Sequence, residues 1–477
     1  MARVMMLGVA AVVALLAVGA SCDCTMTMVG KRATADGSVL ASYSNDYTGN
    51  TPVGVIPYES VPASRAAAPS RQCTPESGLP PVPAGGTYRA FAVSTPAIRE
   101  SSLNSAGLGM NYGVYLYPRS DVAAADPWVS NGLGTEMWDI VMQRCSNPRQ
   151  AVTAIAAMIR ACGASSMIGG GVGIFNRDEA WVIDIISGHH YVAVRVPDDS
   201  YLAEPNMLRT KSIDYRSSDF IVSPKFLDFA KSIGAASASA TTVDVARGFN
   251  DGAVGAGRQH ALDRLYLMLS KLSPSAHYEH NAALSETPWF ARPDRPLTVA
   301  DLRAAHRDHG PEAAYAGASP HNMEYSATAP FTPVCRGIQT YHVIWKMPRR
   351  GPATMIVGAC SACVSAMVPY WVETVPMVWS DDAVTKATTN YVLSLSLDNF
   401  RVIQHKMDAT DSGGRPEYPQ HIASLAARQP ALDGLVDQAV AAAERDSDVR
   451  AMLDATVAIA GAVRDFSSAA IGELFSR

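Results

Sequence analysis

Residues 25–44 impose the tightest constraint on what this chain can fold into. In 25-TMTMVG-30 the side chains alternate, 31-KRATADG-37 ends in an Asp-Gly turn, and 38-SVLASYS-44 resumes the strand pattern. The spacing predicts two short strands, which would pin this start of the chain into a sheet edge. What precedes them is of another kind. The stretch 1-MARVMMLGVAAVVALLAVGA-20 carries one basic residue, Arg3, followed by an uncharged, largely apolar run at residues 7–20 that closes on Gly-Ala-Ser. A spanning helix needs about 20 apolar residues. The run is shorter and has the layout of a secretory signal. Residues 1–21 are therefore expected to be a signal peptide. The expected destination is the secretory pathway, ending in the periplasm, the extracellular space or an acidic organelle. The rival layout is a lipoprotein signal acylated on Cys22, against which stands Val18, where such signals prefer a larger aliphatic residue.

Charge narrows the partners. The formal net charge is -5, from 44 acidic and 39 basic residues, with no basic block of the kind that tracks a phosphate backbone. Nucleic acid is a poor partner for such a surface. No segment after the N-terminal run reads as membrane-spanning.

The 8 cysteines stand at positions 22, 24, 73, 145, 162, 335, 360 and 363. Removing everything before Cys24 leaves an odd number, which in an oxidising compartment flags one free thiol beside up to three bridges. The pair 360-CSAC-363 reads as structural thiols or a disulfide, since no second CxxC or His-spaced partner accompanies it to make a zinc site.

Further along, residues 52–86 are rich in Pro, Ala and Ser and read as a long surface loop. A helix is expected from about Glu136. The next, 147-NPRQAVTAIAAMIRACG-163, carries its own punctuation: Asn147 to cap, Pro148 in the first turn, Gln150 at the capping-box position and Gly163 to end it. Val152, Ile155, Ala156 and Ile159 give that helix a face to bury. In 171-GVGIFNRDEAWVIDIISGHHYVAVRVPDD-199, two apolar runs flank the hairpin connection 176-NRDE-179, and a third strand follows Gly188. Strand patterns return at residues 340–348, 353–359 and 367–379. Beyond about Asn399 they stop, and residues 431–477 read as one or two helices. Sheets covered by helices make this an α+β chain.

Cys24 is the candidate nucleophile. A thiol needs only a nearby base, and its own α-amino group, with an unperturbed pKa of about 7.7 to 8.0, becomes that base once the residues ahead are removed. A disulfide partner is the plainer reading of the same residue. Acyl transfer also needs a carboxylate to orient the amine and donors for the oxyanion. Asp46, at the end of the second strand, can orient. Asn111 in GMNYG and Asn206 in AEPNMLR can supply amides, although each alone is more often a turn residue. If their segment is strand, His189 and His190 point to opposite faces, so neither a paired metal site nor a papain-like Cys–His arrangement is favoured.

The run 24-CTMTMVGKRATADGSVLASYSND-46 resembles the opening of the PepD-like dipeptidases, cysteine members of the N-terminal-nucleophile hydrolases. Supporting pieces are 110-MNYGV-114, 181-WVIDIISGHHYVAVRVPDD-199, 215-YRSSDFIVSPKFLDFAKSIG-234, 336-RGIQTYHV-343 and 363-CVSAMVPYW-371. The resemblance implies a four-layer αββα sandwich, set over residues 24–398; the helical stretch over 399–477 falls outside the strongest matches and is expected as an extension, and Cys22 and Asp23 as a two-residue propeptide left by signal cleavage. The resemblance also implies hydrolysis of dipeptides with a free N-terminus, with no metal and no cofactor. In it Cys24 is the nucleophile, Asp46 steadies the amine, and Asn111 and Asn206 serve the oxyanion or orient substrate. The partners it leaves open are a dipeptide or small amide substrate and a second copy of the chain in a homo-oligomer. Three positions depart from the pattern: Tyr43 stands where many relatives have Arg, Tyr112 where Glu is usual, and Tyr191 where Trp is common. The alternatives are an exported amidohydrolase or acylase on non-peptide amides, and a catalytically silent lipoprotein or binding protein.

Overall fold

A computed structural model describes residues 24–46, 54–58, 79–94, 99–250, 256–280, 282, 284, 286–311, 331–374 and 419–475. The expected signal peptide and propeptide, Cys73, and the junction near residue 399 lie outside the described residues.

In chain order the strands are β1 (Thr25–Val29), β2 (Val39–Asp46), β3 (Gly54–Tyr58), β4 (Ala90–Ser94), β5 (Arg99–Asn104), β6 (Gly109–Met110), β7 (Val114–Tyr115) and β8 (Gly170–Phe175). They continue with β9 (Ala180–Ile185), β10 (Tyr191–Arg195), β11 (Tyr201–Glu204), β12 (Phe220–Val222), β13 (Gln339–Met347), β14 (Thr354–Ala359) and β15 (Met367–Tyr370). The helices are α1 (Ser120–Ala125), α2 (Glu136–Arg144), α3 (Pro148–Cys162), α4 (Phe226–Ser232), α5 (Val245–Phe249), α6 (Ala256–Leu272), α7 (Val299–His306), α8 (Pro419–Arg445) and α9 (Val449–Phe475).

Two antiparallel sheets result. The first runs β11-β1-β2-β13-β14-β15, and the second β12-β10-β9-β8-β6-β5-β4-β3 with β7 against β8. Strand alternation sorts their side chains. On β9, Ala180 and Val182 belong to the core shared with the first sheet, while Trp181, Ile183 and Ile185 belong to the core under α2 and α3. On the other side α6 packs on β11, α7 on β13 and β2, and α8 and α9 on β15. The order of layers is helix, sheet, sheet, helix, which is the αββα sandwich that the resemblance implies, with the expected helical extension.

Local chemistry explains the elements. Asn147 accepts the backbone N–H of Gln150 at 2.9 Å and starts α3, whose face of Val152, Ile155, Ala156 and Ile159 is buried as expected. Burying each larger side chain is worth about 1.5–3 kcal/mol. Gln150 reaches Ser146 N–H at 2.8 Å, one residue before the position a capping box would use. Gly163 ends the helix with a φ of 67°, although its ψ of 165° lies outside the left-handed helical basin. The 176–179 connection joins β8 and β9 as read. At the far end α8 is held on α7 by Arg307, which meets Asp433 at 2.6 Å, and by Arg303, which meets Asp437 at 2.9 Å.

Four expectations change. Inside the proposed 52–86 loop, residues 54–58 form β3, paired with β4 at the edge of the second sheet, a position that tolerates Pro57. His189 and His190 sit in the turn before β10, not on a strand: His189 Nδ1 meets Asp126 at 2.7 Å and His190 stacks on Phe229 at 4.0 Å. Of the 367–379 segment, Met367–Tyr370 is strand and residues 372–374 are a turn, while residues 375–379 lie outside the described residues. Finally, β1 is not at a sheet edge, since β11 and β2 pair with it on either side; among the described cysteines, Cys24, Cys145, Cys335, Cys360 and Cys363 are thiols and Cys162 is disulfide-bonded, within the bound of up to three bridges. Among the described residues no helix is long and apolar enough to cross a membrane.

Candidate active site

Cys24 directly precedes β1 and is wholly buried. The ladder pairs Thr25 with Ser44, which brings the end of β2, Asn45 and Asp46, alongside it. On the other edge of β1 Met26 pairs with Glu204, which brings the segment after β11, including Asn206, to the same end. Cys24, Asp46 and Asn206 are thus gathered by register alone, from three neighbouring strands.

One of the departures reaches the thiol. The Tyr43 hydroxyl lies 3.2 Å from Cys24 Sγ and 3.0 Å from the Gly113 carbonyl, so its one hydrogen has two acceptors within reach. Tyr43 and Met26 are cross-strand partners, so the ring rises from the same face as the thiol.

Where Tyr43 brings no charge, Arg264 on α6 does. Its Nη1 donates to the Cys24 carbonyl at 2.6 Å and to Thr25 Oγ1 at 2.8 Å, and its Nη2 donates to Asn206 Oδ1 at 2.9 Å. The guanidinium, fully buried, therefore fixes the Cys24 backbone and the Asn206 amide in one fork. Asn206 Nδ2 donates to the Tyr115 carbonyl at 2.8 Å. Asn111 lies further in: its Nδ2 is 3.1 Å from Met26 Sδ, and its Oδ1 accepts from Gly173 N–H at 2.7 Å. Gly173 is needed there, because a Cβ would come within 2.9 Å of Met28 Sδ and 3.0 Å of Asn111 Nδ2.

Asp46 is wholly buried, and Arg336, also wholly buried, approaches it at 4.0 Å. A neighbouring network crosses between the sheets. Glu100 Oε2 accepts from Asn45 Nδ2 at 2.8 Å and from the Tyr341 hydroxyl at 2.5 Å. Burial, and then the charge of Glu100, push the Tyr341 hydroxyl well above its ordinary pKa. Tyr112 packs its ring 5.1 Å from Trp138.

One turn of the ladder inward lies a pair of acids. Glu204 and Asp184 meet in the interior over Gly171, where a Cβ would stand 2.0 Å from Glu204 Oε1. Burial and then Asp184 push the Glu204 carboxyl far up, and burial raises Asp184 to about 7. Burial and mutual repulsion both disfavour full ionisation of the pair.

Sequence reasoning missed Arg264, Arg336 and Glu100. Arg264 interrupts the apolar face of its helix, between Ala261 and Leu265, and that misplaced charge was the one available signal. Nothing local marked the other two.

An antiparallel αββα sandwich with a cysteine at the head of its inner strand, an acid beside it and an arginine on its carbonyl is the architecture of the N-terminal-nucleophile hydrolases. Within that class the chain belongs to Peptidase family C69, whose profile matches residues 23–402. It is similar to a probable dipeptidase A of Streptococcus pyogenes serotype M3, 26% identical over 385 residues, covering 77% of this chain and 80% of that protein. A probable dipeptidase of Salmonella dublin is 27% identical over 308 residues, 62% of this chain and 69% of its own. A probable dipeptidase B of Lactococcus lactis is 28% identical over 208 residues, 42% of each chain.

Proposed function

We propose that this chain is an exported cysteine dipeptidase that hydrolyses dipeptides with a free N-terminus, using Cys24 as the first residue of the mature enzyme. The observation that carries the reading is the convergence on Cys24 of a hydroxyl at its sulfur and a guanidinium at its carbonyl.

The chemistry follows from those groups. Release of the α-amine of Cys24, by signal cleavage and removal of Cys22 and Asp23, supplies a base for the thiol. The sulfur attacks the peptide carbonyl while the amine takes the thiol proton, which then passes to the departing amine. Asn206, held by Arg264, and Asn111 donate to the oxyanion after exchanging their resting partners. Water, deprotonated by the same amine, opens the thioester and frees the thiol. Asp46 holds the amine in place. The zymogen logic is that the prefix keeps the base masked as an amide.

Tyr43 and Tyr112 favour a second reading, an acylase on small non-peptide amides, since both replace charges that would meet a charged substrate.

The deciding measurement is N-terminal mass analysis of an active preparation, paired with Cys24→Ala. A chain beginning at Cys24, and a loss of dipeptide hydrolysis of at least about 10³-fold in the variant, are expected. Full activity in a chain still carrying Ser21 or an acylated Cys22 would sink the amine mechanism.

A further inference from the structure

Away from Cys24, three segments distant in sequence bring His309, Cys335 and Cys363 together, with their ligand atoms all within 4.8 Å of one another. We infer that these three side chains form a binding site for one zinc-class divalent ion, which staples the turn after α7 to the entries of β13 and β15.

Each ligand is held by bonds that do not depend on its own side chain. The backbone N–H groups of Val334 and Cys335 donate to the Asp308 carbonyl at 3.2 and 3.1 Å, which sets Cys335 beside His309. The Cys363 turn is fastened from three sides: Gln429 Nε2 donates to its carbonyl at 2.7 Å, Arg307 Nε to the Ala362 carbonyl at 3.1 Å, and Ala362 N–H to Gln339 Oε1 at 2.8 Å. The site is built before any ion arrives, as a tight metal site requires. In a tetrahedral zinc site, bonds of about 2.3 Å to sulfur and 2.0–2.1 Å to nitrogen put ligand atoms roughly 3.5 Å apart. Small side-chain rotations close the observed spread.

The chemistry selects the ion. Two thiols and an imidazole suit zinc and exclude magnesium or calcium, which take oxygen ligands. The Cys363 N–H points at Cys335 Sγ at 3.4 Å, a donor placed to stabilise a thiolate. Cys335 is wholly buried, and an ion that takes its sulfur as a thiolate displaces the thiol proton. On binding, both thiol protons leave to solvent. His309 and Cys363 are half-buried, which leaves a solvent side for a water as fourth ligand.

The consequence for the enzyme is mechanical. Cys335 is followed by Arg336, the residue facing Asp46, so the ion braces the segment that carries that guanidinium. It takes no part in acyl transfer.

The test uses the full chain, purified under reducing conditions without chelator and dialysed. About one zinc per chain by elemental analysis is expected, falling below roughly a tenth in Cys335→Ser and Cys363→Ser. Cobalt added to the stripped wild-type protein should give thiolate-to-cobalt charge transfer, and His309→Ala should weaken cobalt binding by at least about tenfold. If the serine variants do not fold, the wild-type cobalt spectrum decides alone. Absence of both zinc and charge transfer, or a Cys335–Cys363 disulfide in peptide maps of the unreduced protein, would overturn the site.

Discussion

Asp46 and Glu204 lie on the two strands that flank β1, and both are wholly buried, yet they keep opposite company. Asp46 faces the guanidinium of Arg336. Glu204 faces Asp184, another carboxyl, with Arg209 contributing only a lesser opposing charge. Burial taxes charge at both places equally, so what differs is the compensation. A guanidinium offsets the charge of a buried carboxylate, whereas a neighbouring acid opposes it. Both acids lie near the Cys24 end of the first sheet, Asp46 closing β2 and Glu204 closing β11 opposite Met26, so what separates them is the partner each faces.

The comparison breaks first at Arg336. Arg336→Met takes the guanidinium from a buried Asp46, and the unfolding free energy from denaturant titration should fall by about 3–5 kcal/mol. A loss below about 1 kcal/mol would mean that the guanidinium does not compensate Asp46.

A smaller effect sharpens the side of the paired acids. Glu204 and Asp184 carry raised pKa values in the folded state, against about 4 in the unfolded chain. Between roughly pH 4 and 7 the folded state therefore binds more protons, and stability falls as pH rises through that window. Asp184→Asn removes its own titration and leaves that of Glu204, which burial alone raises, so the stability difference between variant and wild type should shift in favour of the variant by of order 2 kcal/mol from pH 4 to pH 7. A difference that stays flat would show that the Asp184 carboxyl is not raised in the folded state.

The least effect belongs to a contact with no net charge. Tyr43→Phe removes the hydroxyl from Cys24 Sγ and from the Gly113 carbonyl, and thermal unfolding should report a loss of about 1 kcal/mol. That loss should be the same at pH 5 and pH 7. A pH-dependent loss would assign the hydroxyl a role in charge that the comparison denies it.

The hairpin, the capped α3 and the 176–179 connection were legible because each is decided by neighbours within a few residues: alternation, an Asn before a Pro, a turn between apolar runs. The position of β3 was not, since Pro and Ser there signal loop while pairing with β4 overrides them. Cys24, Asp46 and Asn206 were legible as candidates, and the ladder explains why they meet: an acid at the end of one strand and an amide beyond the other must flank the residue that opens the strand between.

By itself, then, the sequence determined the alternating strands, the helical punctuation and the cysteine that directly precedes the first strand. Only the tertiary structure decided which charges attend that cysteine. Arg264 reaches Cys24 across 240 positions of chain, and Tyr341 reaches Glu100 across 241. Such partners are chosen by how two sheets and a helix stack. No local propensity records that choice, because a buried arginine and an exposed one are written with the same residue.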